Sequence, residues 1–170
     1  MTMLVVKDAM VLIHLARLTL LERACDYFGT VAIPERVFDE TVVAGREHDY
    51  SDAEIIAESI DAEGIEVVAV DADGGFERAK QFNLHAGEAA AVALYWQRDA
   101  DLLASDDDNV RSKRTLLDLA LVSTPAILLD LYEADYIGAE KLRRALAGLR
   151  EIGWFSDAVI DKIKLEAEIQ

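Results

Sequence analysis

The chain has 170 residues, of which 52% are hydrophobic, so it is long enough for one domain with a substantial core. It carries 33 acidic and 17 basic residues, and the formal net charge of -16 repels nucleic acid at ordinary ionic strength. No apolar run reaches the roughly 18 residues of a membrane-spanning helix, no secretory signal opens the chain, and the single cysteine cannot form an internal disulfide. These features predict a soluble cytoplasmic protein without membrane contacts and argue against redox chemistry.

The negative charge has two interpretations. It argues against a nucleic-acid partner if the protein works at ordinary salt concentrations. Acidic residues are, however, spread along the whole chain and only six residues are Lys. That composition is typical of a halophilic organism, where the Debye length falls to about 3 Å at 1 M salt. The charge alone does not decide between the two interpretations.

Short β-favouring runs alternate with helical periodicity in the first part of the chain. Residues 4–6 predict a strand that ends just before Asp8, and an apolar helix follows. A second helix, "LTLLERACDYFG", is followed by the strand "TVAI". Pro34 begins the helix "PERVFDETVVAG", which contains Glu40 and ends at Gly45.

The alternation continues through the middle of the chain. The second half of "REHDYSDAEIIAESIDAEG" predicts a helix with Ser51 as its N-cap, and "IEVVAV" predicts the third strand. A short helix over residues 76–82 leads into the long helix "LHAGEAAAVALYWQRDA". The fourth strand, "DLLAS", ends at three consecutive aspartates.

The last part of the chain is mainly helical. The segment "NVRSKRTLLD" predicts a helix, "LALVS" a further short strand, and three helices follow, which begin at Pro125, after Gly138 and after the N-cap Ser156. The whole pattern predicts an α/β protein: a three-layer α/β/α sandwich with a parallel sheet of about four or five strands. We expect residues 1–170 to form one domain, with residues 138–170 as a helical C-terminal extension.

Carboxylates follow the predicted strands at positions where a parallel sheet would bring them together. Asp8 follows the first strand and Asp106 the fourth, and ligands of open α/β sheets gather beyond these strand ends. Glu88 lies in the first turn of its helix, and Glu40 lies in the helix after the second strand. Four carboxylates suit Mg²⁺ or Mn²⁺, which could hold a phosphate oxygen and activate water. For each acid alone, a solvated surface position is the competing interpretation.

The stretch "LLASDDDNVR" places like charges side by side. Such a cluster persists when it is solvated, as in a turn with an Asp N-cap, or when a cation neutralises it. The basic residues Arg111, Lys113 and Arg114 follow directly, and they either contact a phosphate backbone or balance the acids of their own helix. His14, in the helix after Asp8, is either a packing residue or a catalytic base. No zinc motif and no Gly-rich phosphate loop is present.

Several of these stretches resemble the PIN-domain nucleases, which include the toxin ribonucleases of toxin-antitoxin pairs. "VVKDAMVLIHLARLTLLERACDYFGTVAIPERVFDETV" resembles their N-terminal signature. "LHAGEAAAVAL" and "LLASDDDNVR" resemble later motifs of a PIN-like branch with a Gly-Glu-Ala helix, so the resemblance runs from about Leu4 to Tyr136. It implies a metal site formed by Asp8, Glu40, Glu88 and Asp106, with Asp107, or less well Asp108, as a further ligand.

The resemblance implies a Mg²⁺- or Mn²⁺-dependent endoribonuclease that hydrolyses single-stranded RNA, with a possible antitoxin protein as partner. The apolar helices near "LLERACDYF" and "LLDLYEADYI" suggest a homodimer. Two departures from the family pattern stand out. Asp108 and Asn109 precede the basic stretch, and "VSTPAILL" carries Ser123 and Ala126 where the family has glycines in a turn.

Two other classes of function remain open. The strong acidity and the altered turn favour a non-catalytic PIN-like binding or regulatory module. A phosphohydrolase that forms an aspartyl phosphate at Asp8 would carry a second acid two positions later, where this chain has Met10.

Overall fold

The structure, a computed structural model, describes residues 3–152 and 155–169. In these residues one five-stranded sheet has the order β3-β2-β1-β4-β5, and each pair of neighbouring strands is parallel. The strands are β1 (Met3–Lys7), β2 (Gly29–Pro34), β3 (Glu66–Val68), β4 (Leu102–Ala104) and β5 (Leu121–Val122).

Helices connect the strands and continue after β5. They are α1 (Ala9–Arg17), α2 (Leu21–Phe28), α3 (Glu35–Phe38), α4 (Ala44–Glu47), α5 (Ser51–Asp61), α6 (Gly75–Lys80), α7 (Ala86–Arg98), α8 (Asp108–Ser112), α9 (Thr124–Glu133), α10 (Ala139–Ile152) and α11 (Asp157–Glu166). A π-helical segment, Asp39–Val43, joins α3 to α4.

Successive residues of β1 serve opposite faces of the sheet, as strand geometry requires. Val5 packs into a core formed with α1, α2, α5, α9, α10 and α11, whereas Val6 packs into a second core formed mainly with α7. The predicted three-layer α/β/α sandwich is therefore confirmed. The helices of the predicted C-terminal extension share the first core, through residues such as Leu146 of α10 and Ile160 of α11.

The strand order has a switch point between β1 and β4. β2 and β3 lie on one side of β1, whereas β4 and β5 lie on the other. At such a switch point the connections leave in opposite directions, and a crevice opens beyond the carboxyl ends of the two strands. Asp8 follows β1 and Ser105 follows β4, so the ends of these strands flank the crevice.

The helix after β2 differs from the prediction. The predicted single helix ending at Gly45 is instead α3, the π-helical segment and α4, and it continues to Glu47. Gly45 serves a close contact rather than a helix end, because a Cβ there would lie 2.8 Å from Cβ of Ala53 in α5. The predicted N-cap of α5 is also wrong by one residue: Tyr50 occupies that position and Ser51 is the first helical residue.

Two later elements are shorter than predicted. β3 covers three residues of "IEVVAV", and the predicted helix over "NVRSKRTLLD" ends at Ser112, after which the chain forms turns. Ser156 is the N-cap of α11, as predicted, and its side chain accepts a hydrogen bond from the Val159 N–H at 3.3 Å.

The apolar faces of α2 and α9 pack inside the chain. Phe28 of α2 and Leu128 of α9 are both buried in the first core, and the ring centroids of Tyr27 and Tyr136 lie 5.4 Å apart. Packing within one chain thus accounts for the apolar pattern of both helices, and the homodimer stays a prediction. Among the described residues no helix has the length and hydropathy needed to cross a bilayer.

Lys7, the last residue of β1, directly precedes Asp8 in the chain and is fully buried. Its Nζ atom has no hydrogen-bond partner among residues 3–152 and 155–169, and it lies 5.2 Å from the ring centroid of Phe28. Burial lowers the pKa of Lys7 below its usual value, and the nearby Cys25 thiol acts in the opposite direction. A buried amine without an ion pair costs free energy of folding, because its charged form loses hydration.

We expect Lys7→Met to stabilise the protein by about 2 kcal/mol at pH 7. Because the pKa of Lys7 is lower in the folded chain, the unfolded chain binds more protons below pH 10.5. The unfavourable contribution of Lys7 to stability therefore becomes smaller as the pH rises towards 10.5, and the advantage of the variant should shrink towards pH 10. Urea unfolding at both pH values measures this. A variant less stable than the wild type at pH 7 would contradict the expectation.

Candidate active site

Asp8 is held at the end of the central strand by both its backbone and its side chain. Its N–H donates to the Ala104 carbonyl of β4 at 3.0 Å, and its carboxylate accepts the Val11 N–H at 3.0 Å as the N-cap of α1. An N-cap side chain satisfies one of the unpaired N–H groups of the first helical turn. Asp8 is only 6% exposed, so the carboxylate has little contact with bulk water.

Asp107 reaches the same crevice from β4. It is the N-cap of α8, where its carboxylate accepts the Val110 N–H at 3.0 Å. Ser105 ties this segment to β1, because its Oγ accepts the Asp107 N–H at 3.2 Å and its side chain also hydrogen-bonds to Asp8. The predicted Asp N-cap is therefore present at Asp107, within the crevice rather than on a solvated surface.

Glu88 comes from the first turn of α7. Its carboxylate accepts the His85 N–H at 3.1 Å and lies close to the Asp107 carboxylate. Like charges this close disfavour double ionisation. Without a cation, the pKa of Glu88 is therefore raised, mainly by partial burial and also by the nearby Asp107.

Glu40 lies in the π-helical segment, and its carboxylate lies against the first turn of α7. A Cβ on Gly87 would lie 2.2 Å from Oε1 of Glu40, so the carboxylate occupies space that any side chain at position 87 would need. Gly87 is therefore the part of the Gly-Glu-Ala sequence that admits Glu40. Asp8, Glu40, Glu88 and Asp107 together line one cavity of about 320 Å³.

Asp106 lies apart from this cavity, although its sequence neighbour lines it. Asp106 is 4% exposed, and its carboxylate accepts three hydrogen bonds: from the Thr124 N–H at 2.7 Å, the Thr124 hydroxyl at 2.6 Å, and His14, whose Nδ1 lies 2.7 Å away. Three of the four acids predicted as the core set thus meet in one cavity. Asp107 rather than Asp106 is the fourth acid there.

The electrostatics of the cavity reflect burial of acids near one another. Burial, with smaller contributions from Asp106 and Asp107, raises the pKa of Asp8 to about 7, although hydrogen bonds from Ser105 and the Val11 N–H oppose this rise. Partial burial also raises the pKa of Glu40, and nearby Arg36 and His85 act against it. The site therefore holds protons at a pH where exposed carboxyl groups have lost them.

The donor set fits a divalent cation in its chemistry. Carboxylate oxygens are hard ligands, and Mg²⁺ commonly keeps several waters while one or two carboxylates bind it. The raised pKa of Asp8 indicates carboxylates that a positive charge would stabilise. Among the described residues no three acidic, imidazole or thiol side chains are close enough to hold one ion together. The arrangement thus suits an ion that keeps its hydration waters. Direct coordination by three ligands would require side chains to move.

The three predicted basic contacts separate in the structure. Arg111 and Arg114 line a neighbouring cavity of about 820 Å³ that the buried Asp106 also lines, and Arg111 pairs with Asp108 at 3.6 Å. The Lys113 ammonium donates to the Phe82 carbonyl and supports the turn before α7. Two of the three residues therefore remain available next to the acids.

Sequence reasoning did not single out Ser105 or Thr124. Both are buried hydroxyl residues, at 5% and 0% exposure; Ser105 directly follows β4, and Thr124 is the first residue of α9, two positions after β5. Their signal was a small hydroxyl residue at the end of a buried strand, where a side chain can only serve the neighbouring loop. His14, considered either as a packing residue or as a base, is fully buried and contacts Asp106 and the ring of Phe155.

Comparison with known proteins gives one match. A family model described as "PIN domain" matches residues 4–168, which include all the acids of the cavity and both C-terminal helices. No curated protein and no solved structure matches the chain.

We expect Asp8→Asn to stabilise the metal-free protein above pH 7. Because the pKa of Asp8 is raised by folding, the contribution of Asp8 to stability is most favourable below about pH 4 and is lost as the pH rises to about 7. The uncharged amide avoids this loss and can still cap α1, so the variant should be about 3 kcal/mol more stable at pH 8 and similar near pH 4. Urea unfolding with a chelator measures this, with the exposed Asp108→Asn as control. Equal stability of wild type and Asp8→Asn at pH 8 would argue against it.

Gly87→Ala should separate folding from cation binding. Alanine favours a helix over glycine by up to about 1 kcal/mol, and the flexible Glu40 carboxylate can swing away from the added methyl. We therefore expect unchanged or higher stability without metal, but a loss of the stabilisation that Mn²⁺ gives the wild type. Thermal unfolding with and without Mn²⁺ tests this. The control is Gly148→Ala, where a Cβ would meet only the end of the Leu18 side chain, at 2.6 Å. Full stabilisation of Gly87→Ala by Mn²⁺ would overturn the assignment of Glu40.

Proposed function

Because this chain belongs to the PIN-domain family, we propose that it is a divalent-metal-dependent endoribonuclease that hydrolyses phosphodiester bonds of single-stranded RNA. The observation that carries the proposal is the convergence of Asp8, Glu40, Glu88 and Asp107 in one cavity beyond the ends of β1 and β4. The family has a nuclease-type fold and its members generally depend on divalent metals. The acid cavity lies at the edge of the sheet where α/β folds bind ligands.

In this proposal Asp8, Glu40, Glu88 and Asp107 hold Mg²⁺ or Mn²⁺, which would bind a phosphate oxygen and lower the pKa of a water molecule. Asp8 is central because it is buried and fixed by two elements, β4 and α1. Without metal, partial burial and the nearby Asp107 raise the pKa of Glu88. A bound cation would favour the ionised form of Glu88, whose carboxylate would then be available as an oxygen ligand.

Asp106 has a supporting role in the proposal. Its carboxylate is engaged by Thr124 and His14, and this fixes the backbone on which Asp107 turns towards the cavity. Buried carboxylates with several hydrogen bonds order the loops around them. The prediction from the sequence that Asp106 itself binds metal is the competing assignment, and the two assignments differ in their expected mutant phenotypes.

RNA is the proposed substrate although the chain is acidic. Arg111 and Arg114 line the neighbouring cavity of about 820 Å³ together with Asp106, and a strand passing from the acid cavity into it would place a phosphate there. The formal charge of -16 repels a whole RNA strand at long range more than it weakens a direct arginine–phosphate contact. Salt screens this long-range repulsion. We therefore propose that the protein works at high ionic strength, as a halophilic composition implies.

A non-catalytic PIN-like module is the second candidate. It is favoured by one observation: within the described part of the chain no three potential ligands are close enough for one ion. A module of this kind would bind RNA or protein without hydrolysis, and its acids would serve binding or folding.

The proposed biological role is that of a toxin in a toxin-antitoxin pair, as the sequence resemblance implies. In that role expression of the wild type should arrest growth, expression of Asp8→Asn should not, and a neighbouring gene for a small DNA-binding protein should relieve the arrest. Growth without arrest by the wild type would leave the ribonuclease proposal in place and remove the toxin role.

The three consecutive aspartates offer a matched series for the ribonuclease proposal. We expect Asp107→Asn to lower Mn²⁺-dependent cleavage of single-stranded RNA by about 100-fold or more, because it removes a ligand. Asp108→Asn should stay within about twofold of the wild type, since its side chain is 94% exposed and pairs only with Arg111. Asp106→Asn should unfold more readily, because an amide cannot accept all three hydrogen bonds.

Cleavage is measured at molar salt with Mg²⁺ or Mn²⁺, and Asp8→Asn serves as the inactive reference. Cleavage that persists in Asp8→Asn would come from a contaminant and would remove the enzymatic proposal. A fully folded Asp106→Asn without activity, combined with an active Asp107→Asn, would assign the metal to Asp106 instead.

A further inference from the structure

A further cavity, of about 500 Å³, lies beside the acid cavity on the same edge of the sheet. Its walls come from α3, the first turn of α6, Ala90 of α7, and the segment 69–74 that follows β3. Because β1, β2 and β3 are parallel neighbours, the loops after them open on one edge. A strand of RNA that crosses the acids can therefore continue into this cavity.

Arg36 stands between the two cavities. Its guanidinium carbon lies 4.8 Å from the ring centroid of Phe76, and its charge acts on Glu40 in the acid cavity. The side chain is exposed, and no carboxylate of the described residues lies within ion-pair distance of it. The Arg36–Phe76 pair thus presents a flat, oriented surface, and the N–H groups of the Arg36 guanidinium remain available to a ligand.

The segment 69–74 is held in place rather than free. The Gln97 side chain of α7 accepts the Asp71 N–H at 2.7 Å and donates to the Ala69 carbonyl at 3.2 Å. The Asp73 carboxylate accepts the Gly75 N–H at 2.9 Å where α6 begins. One wall of the cavity is therefore organised before any ligand enters, which lowers the entropic cost of binding.

The polar groups of this cavity select a kind of ligand. Glu35, Asp71 and Glu77 supply hydrogen-bond acceptors, while Phe76 and Val70 supply apolar surface. Acceptors of this kind repel a phosphate inside the cavity but accept the exocyclic amino groups of adenine, cytosine and guanine. Arg36, on the side of the acid cavity, suits a phosphate.

We propose that this cavity binds a nucleotide of the RNA substrate next to the scissile bond, with its phosphate on Arg36 and its base stacked on the Arg36–Phe76 pair. Arginine planes and aromatic rings are the usual stacking surfaces for unpaired bases. The cavity favours bases that carry an exocyclic amino group over uracil. This inference rests on the proposed function, and it adds the place where the strand is held and a preference among bases.

The experiment measures binding rather than cleavage. Fluorescent oligo-A, oligo-C and oligo-U are titrated against full-length protein carrying Asp8→Asn, without divalent metal, and affinity is followed over a range of salt concentrations. Arg36→Gln should weaken oligo-A binding about tenfold and reduce the slope of log affinity against log salt by about 0.7, because one phosphate contact is lost. Phe76→Leu should weaken binding about fivefold or more and leave the slope unchanged, because stacking carries no charge.

The chain supplies a matched control. Arg78 stacks on Trp96 at the same distance of 4.8 Å, but it lines a different cavity of about 300 Å³. Arg78→Gln removes the same charge and should leave both affinity and slope close to the Asp8→Asn reference. Equal effects of Arg36→Gln and Arg78→Gln would overturn the proposal, and so would an unchanged affinity in Phe76→Leu or oligo-U binding as tight as oligo-A and oligo-C.

A parallel cleavage assay on the chain with Asp8 intact separates this inference from the proposed function. Metal-dependent cleavage together with unchanged binding by Arg36→Gln overturns the nucleotide site and leaves the ribonuclease. Absent cleavage together with weaker binding by Arg36→Gln supports the nucleotide site and overturns the ribonuclease. Absent cleavage and absent RNA binding overturn both.

Discussion

The burial of Asp8 at the end of the central strand is the constraint on which the site depends. A carboxylate with 6% exposure, close to Asp106 and Asp107, is costly to ionise, and the fold accepts that cost at the switch point of the sheet. Ser105 and the first turn of α1 fix the side chain there. Strained or electrostatically unfavourable groups of this kind persist where function requires them, and here they are concentrated in one cavity.

The architecture was predictable because each strand and helix carries its own periodic signal. Apolar runs alternating with helical patterns predicted the three-layer sandwich. The positions of Asp8, Glu40 and Glu88 relative to strand ends predicted a common crevice, and these three residues line one cavity in the structure. Helix bounds were less predictable. Gly45 is a strong stop signal in isolation, but the contact with Ala53 across to α5 decides its role, and such a contact depends on tertiary packing.

The sequence alone did not predict which of Asp106 and Asp107 would line the acid cavity. Adjacent residues at a strand end point in different directions, and a shift of one residue exchanges their environments. Thr124, which binds Asp106, lies 18 residues away in the chain. Lys7 is a second example: a basic residue at the end of a strand suggests solvent, whereas the position of β1 in the middle of the sheet buries it completely.

The two outer strands of the sheet, β3 and β5, have three and two residues respectively. An outer strand exposes unpaired backbone groups that can recruit a strand from another molecule, and short strands offer too few of them to support a stable join. A protein rich in carboxylates gains solubility from mutual repulsion, but concentrated electrolyte weakens that repulsion. The short outer strands β3 and β5 then keep the molecules from polymerising edge to edge when charge repulsion no longer holds them apart.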